Sequence, residues 1–195
     1  MEIILHRINS IKRLKEISKN YGTEIDIRSM GSDLILNHEP HESGEKLINY
    51  LDEYDHGTLV LNIKEAGIEN EVLKLVRARE KISSYFLLDV EFPYFFNVKK
   101  LKEKNVAIRF SELESIETVK NFVDVLDWVW IDTYSDFPIN LNNKIVLDKF
   151  KKVLVCPERW GRISDIKTCK DKINEIGVKI DAVMTSENMV ELWEG

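Results

Sequence analysis

One theme recurs along the whole chain: a short run rich in β-branched residues, then a charged stretch whose apolar residues return at helical spacing. The runs are Ile3 to His6, Glu24 to Ile27 with an adjoining extended piece at Leu34-Ile35-Leu36, Thr58 to Ile63, and Ser84 to Val90. Val106 to Ile108, Trp128 to Ile131, Lys152 to Val155 and Ile180 to Met184 complete the series. Helices are predicted between them. One uses the face Ile8, Ile11, Leu14 and Ile17. Another spans Glu45 to Glu53 with Leu47, Ile48 and Leu51 inward, and a third spans Glu69 to Glu80. A Ser111-x-x-Glu114 capping box predicts a helix running towards Asp124, and Ser164 to Ile176 predicts another that stops at Gly177. Eight strands alternating with helices require a parallel sheet, closed or doubly wound, and eight is the number that closes. The expected fold is a compact (β/α)8 TIM barrel of parallel strands, one domain over residues 1–195. That length sits at the lower limit for the architecture, so the loops must be short.

The bulk chemistry narrows the partners. Thirty-four acidic residues against 28 basic ones give a net charge of −6, which argues against a nucleic-acid or anionic-membrane surface. No apolar stretch reaches spanning length and no secretory leader opens the chain, so a soluble cytoplasmic protein is expected. Cys156 and Cys169 fit neither a disulfide framework nor a zinc site.

In a barrel of this kind the chemistry collects at the carboxyl ends of the strands. The polar residues there are His6, Arg7, Glu24, Asp26, His38, Asn62 and Lys64, then Asp89, Glu91, Arg109, Asp132, Cys156, Glu158, Thr185 and Ser186. Glu24 and Asp26, at i and i+2 of a strand, point to one side. Two carboxylates so close repel unless a cation or a shared proton compensates, and oxygen donors select a hard ion, Mg²⁺ or Ca²⁺. The plainer alternative is a solvated strand end. His6 and His38 suit general acid and base roles across a phosphodiester. Arg7 and Lys64 suit phosphate oxygens, and Asn62-x-Lys64 puts the amide and the ammonium on one face.

Together these pieces resemble the glycerophosphodiester phosphodiesterase family and its phosphatidylinositol phospholipase C-like relatives. The resemblance rests on His6-Arg7 at the end of the first strand, Glu24-Ile25-Asp26 on the second, the short strand ending in His38, and Asn62-Ile63-Lys64 where the family carries Glu-x-Lys. It implies a metal-dependent phosphodiesterase with a small phosphodiester substrate. Glu24, Asp26 and Asn62 would hold the metal, Arg7 and Lys64 the phosphate, and His6 and His38 would exchange protons, in an order the sequence leaves open. The nucleophile is either water or a hydroxyl of the substrate.

Several positions depart from the family pattern. Ile8-Asn9-Ser10 follows His-Arg in place of a glycine and a Pro-Glu-Asn run, Glu39 replaces aspartate after the second histidine, and Asn62 replaces a charged ligand. Glu91 or Glu158 could supply the missing carboxylate. Two alternatives remain. Arg159, Gly161 and Arg162 with Thr185-Ser186-x-Asn188 suggest a phospho-ligand binder or isomerase-type barrel acting without metal. Asn62 instead suggests a family member without turnover. Phe92-Pro93-Tyr94-Phe95-Phe96 either walls the pocket or packs in the core, and so does Trp130.

Overall fold

The computed structural model describes residues 1–194. Its elements, in order, are β1 (Glu2–Leu5), α1 (Ile11–Glu16), β2 (Gly22–Met30), β3 (Asp33–Leu36), β4 (Glu45–Lys46), α2 (Leu47–Glu53), β5 (Leu59–Ile63), α3 (Glu69–Arg77), β6 (Tyr85–Leu88) and α4 (Phe92–Leu101). They continue as β7 (Ala107–Phe110), α5 (Ile116–Lys120), β8 (Trp128–Ile131), α6 (Leu141–Leu147), β9 (Lys151–Val155), α7 (Asp165–Ile176), β10 (Ala182–Thr185) and α8 (Glu191–Glu194). Contacts divide the chain into two compact units, Ile4–Asn97, and Met1–Ile3 with the chain from Val98 onward.

In the first unit, β1 pairs parallel with β2, β2 with β5, and β5 with β6. All five residues of β5 are buried, which is why Leu59-Val60-Leu61-Asn62-Ile63 reads as a nearly continuous apolar run rather than an alternating one. In the second unit β7, β8, β9 and β10 pair parallel in that order. The predicted α/β class with parallel strands is what the chain adopts, and each of the eight predicted runs forms a strand. β6 pairs with β5 alone and β7 with β8 alone, so each parallel set ends on an edge strand. Strand pairing among the described residues therefore does not complete the closed ring that the count of eight suggests.

Three local expectations are corrected. The Leu34–Leu36 piece is antiparallel to β2, and Glu45-Lys46 is a two-residue strand against it rather than the first turn of a helix. Gly44 permits that pairing, because a Cβ there would lie 2.1 Å from the Leu36 carbonyl oxygen. In α2, Tyr50 is buried and Ile48 is 44% exposed, because Leu47, Tyr50 and Leu51 at i, i+3 and i+4 share the inward face. Ser111 does not cap a helix: its Oγ accepts from the N–H groups of Leu113 and Glu114 in a turn, and Ser115 caps α5. The Glu114 side chain, free of the predicted capping box, reaches Arg109 Nε at 3.1 Å. α7 ends as predicted, on Gly177 at φ 65°.

Candidate active site

β2 organises the site, because strand alternation puts Glu24, Asp26 and Arg28 on one side while Ile25 and Ile27 fill the other. Both carboxylates are withdrawn from water, Glu24 at 1% exposure and Asp26 at 0%. Such burial is tolerable only with partners. Asp26 is clamped by Asn9, whose Nδ2 donates to Oδ2 at 2.8 Å while its Oδ1 accepts the Asp26 N–H at 2.9 Å. Lys64 Nζ lies 3.0 Å from Asp26 Oδ1, and Arg7 Nε lies 3.7 Å from Oδ2. Lys64 also comes within 4.0 Å of Asp89, whose backbone takes φ 57° at the end of β6.

Glu24 accepts the Arg7 N–H on Oε2 at 2.9 Å and the Asn62 amide on Oε1 at 2.7 Å, with His6 Nε2 3.9 Å from Oε2. The bond to the Arg7 N–H offsets the cost of holding that non-glycine residue at φ 55°. Burial, reinforced by the neighbouring Asp26 charge, pushes the Glu24 carboxyl up to about 7 against the opposing pull of Asn62, the Arg7 N–H and Lys64. Six of the sequence-predicted residues, His6, Arg7, Glu24, Asp26, Asn62 and Lys64, thus form one cluster.

Two acceptors in that cluster have no hydrogen bond. Asn62 Oδ1 is buried and unclaimed, because the amide spends its Nδ2 on Glu24. Asp26 Oδ1 is likewise without one, since Lys64 meets it as an ion pair outside hydrogen-bonding angles. A buried oxygen left unpaired, as Asn62 Oδ1 is, is costly and calls for a further donor or a cation. Among the described residues no three His, Cys, Asp or Glu side chains converge as a ligand set, so any metal here would draw on two carboxylates and an amide.

His38 stands differently. Its ring Nδ1 is 2.6 Å from Glu39 Oε1, and its side chain is 37% exposed. The backbone at His38 is held by Arg28, whose Nε and Nη2 donate to the His38 carbonyl at 3.1 and 2.9 Å and whose Nη1 donates to the Lys64 carbonyl at 3.4 Å. Arg28→Met is expected to speed amide hydrogen exchange across Asn37–Glu39 by about tenfold, the loss of two charged hydrogen bonds outweighing the remaining turn. Unchanged exchange would show that Asn37, which bonds Glu39 N–H and the Ser43 carbonyl, holds the loop alone.

Arg28 and Asn9 were missed by sequence reasoning. The i+4 spacing of Arg28 from Glu24 on a strand was a usable signal. The reach of Asn9 to Asp26 across a turn was not.

Glu91 is exposed beyond β6, and Asp89 is the acid of that segment that faces Lys64. Glu158, in the other unit, accepts from Thr185 Oγ1 at 3.1 Å and Ser186 N–H at 2.8 Å. The alternative anion site there is engaged as well. Arg159 donates to Ser186 Oγ, Arg162 donates to the Thr133 carbonyl and Asp165, and the Ser186 N–H that a phosphate would need already serves Glu158. Trp130 is 3% exposed and belongs to the core.

No family model matches the chain, and no curated protein matches it by sequence. A crystal structure from Agrobacterium tumefaciens, provisionally named a glycerophosphoryl diester phosphodiesterase, is similar with a TM-score of 0.67 at 9% identity, over 99% of this chain and 97% of that one. At that identity the likeness shows a common fold. No helix among the described residues is long and apolar enough to cross a membrane.

Proposed function

We propose that the chain is a phosphodiesterase of the glycerophosphodiester type, hydrolysing a small phosphodiester at the Glu24–Asp26 cluster. The observation that carries the reading is a pair of fully buried carboxylates set between Arg7, Lys64 and His6, in a chain whose fold is shared with the Agrobacterium protein. The unclaimed Asn62 Oδ1 and the Asp26 carboxylate, whose Oδ1 is ion-paired with Lys64, fit a hard divalent cation, Mg²⁺ or Ca²⁺, held together with Glu24. Such an ion would supply Lewis-acid charge to a non-bridging phosphate oxygen. Arg7 and Lys64 would bind the other phosphate oxygens and keep the phosphorus in line for attack. One histidine takes the proton of the attacking water as the new P–O bond forms. The other gives a proton to the departing alkoxide as the old bond breaks. Glu39, on His38 Nδ1, orients that ring and leaves Nε2 for proton exchange.

The test is hydrolysis of bis-p-nitrophenyl phosphate and a panel of glycerophosphodiesters in Mg²⁺, Ca²⁺, Mn²⁺ or EDTA. Metal-dependent release is expected on at least one substrate. Equal release in EDTA would remove the metal from the reading. No release on any substrate, joined to absent Mg²⁺ and Ca²⁺ binding by calorimetry, would favour the form without turnover, for which the uncharged Asn62 is the specific indication.

A further inference from the structure

α4 turns two phenylalanines away from the core. Phe92 is 65% exposed and Phe96 88%, one helical turn apart, while Phe95 and Val98 are buried and fasten the helix, the Phe95 ring 5.8 Å from that of Phe92. At 100° per residue, Lys99, Phe92, Phe96 and Lys100 fall, in that order, within an arc of about 100°. The aromatic stripe is therefore flanked by an ammonium on each edge. Among the described residues none of Lys99, Lys100 and Lys102 is ion-paired. Over residues 92–104 the four lysines, Lys99, Lys100, Lys102 and Lys104, face a single acid, Glu103, which is buried with its Oε1 taken by the Asn105 N–H. Lys104 is the one drawn towards an acid, Asp127, at 3.9 Å.

This pattern differs from the other exposed apolar pair on a helix, Leu141 and Ile145 of α6, where the neighbouring Lys144 is spent on Asp148 at 2.5 Å. Exposed aromatic rings bracketed by unpaired lysines match an interface that is apolar below and anionic above. A protein partner with a cavity for two rings would not require the lysines to remain free. The net charge of −6 does not oppose local binding, because charges beyond about 10 Å are screened at physiological salt.

We propose that the outer face of α4 docks on an anionic lipid surface, with the Phe92 and Phe96 rings entering the headgroup boundary and Lys99, Lys100 and Lys102 meeting lipid phosphates. The proposal does not rest on the phosphodiesterase reading. α4 follows Asp89 by three residues, so docking would bring the β6 end of the candidate site towards the bilayer.

Sedimentation of the full chain with phosphatidylcholine vesicles containing phosphatidylserine tests this without any turnover measurement. Binding is expected to fall at least about tenfold in Phe92→Ser/Phe96→Ser. It should fall about fivefold for each of Lys99→Gln and Lys100→Gln, and should weaken with added salt and on pure phosphatidylcholine. All four side chains are exposed, and an unchanged circular dichroism spectrum verifies that the variants fold. Absence of sedimentation with anionic vesicles overturns the proposal, as does binding indifferent to the phenylalanine substitutions. A concentration-dependent dimer by light scattering that Phe92→Ser/Phe96→Ser abolishes would assign the face to a second copy of the chain and equally overturn it.

Discussion

Glu24→Gln is expected to raise the melting temperature of the metal-free protein above pH 7 by several degrees and to lower phosphodiester turnover by about 100-fold or more. The fold raises this carboxyl from 4.5 to about 7. A carboxyl raised by folding contributes stability that is fully present below 4.5 and is lost as the pH climbs through 7. Above that pH the native state holds an ionised Glu24 beside Asp26 at a cost of a few kcal/mol, which glutamine removes. Glutamine fits the same contacts if the Asn62 amide turns over: its oxygen keeps the Arg7 N–H, and its NH2 meets the now unclaimed Asn62 Oδ1. Calorimetry from pH 5 to 8 in EDTA reads the effect as a gap between wild type and variant that opens with pH. If Mg²⁺ or Ca²⁺ binds here, it should close that gap for the wild type and leave the variant unmoved. A variant melting below wild type at pH 8 would mean that Glu24 is stabilised as the carboxylate, against the burial argument.

His6→Ala and His38→Ala should each reduce hydrolysis of an alkyl phosphodiester by about 10²–10⁴-fold, the range for one positioned acid or base. The loss should not be equal on every substrate. p-Nitrophenolate leaves without a proton, so the variant lacking the general acid should recover much of its rate on bis-p-nitrophenyl phosphate. The variant lacking the base should not recover on it. Comparing the two substrates therefore assigns the roles that neither motif nor geometry orders. His38 is 37% exposed, so its removal should leave the melting temperature within about 2 °C of wild type. His6, 16% exposed and 3.9 Å from Glu24, has more structure to lose. Full turnover in both variants on both substrates would remove the two-histidine mechanism.

Much of this was legible in the residues alone because it depends on periodicity. Eight apolar runs of strand length, each followed by a helical pattern, specify alternating β and α elements, and strand alternation alone turns Glu24 and Asp26 to the same side. The order His6-Arg7, Glu24-x-Asp26, Asn62-x-Lys64 placed polar groups at the ends of adjacent parallel strands, and the register Asp26 opposite Asn62 brings those ends together. Local chemistry was less decisive wherever two local solutions compete. Ser111-x-x-Glu114 satisfies a capping pattern, yet Arg109 claims Glu114 and the helix waits for Ser115. Glu45-Lys46 has helical neighbours, yet the open backbone edge of β3 is the better partner.

The raised carboxyl of Glu24, the Asn9 clamp on Asp26 and the bond from the Asn62 amide to Glu24 belong to tertiary structure. Each depends on how far a group is removed from water and on which atom of a distant segment comes within 3 Å of it. Spacing along the chain carries neither quantity. It names the residues at the strand ends, and only packing decides which of them are charged, which are paired and which oxygens are left open.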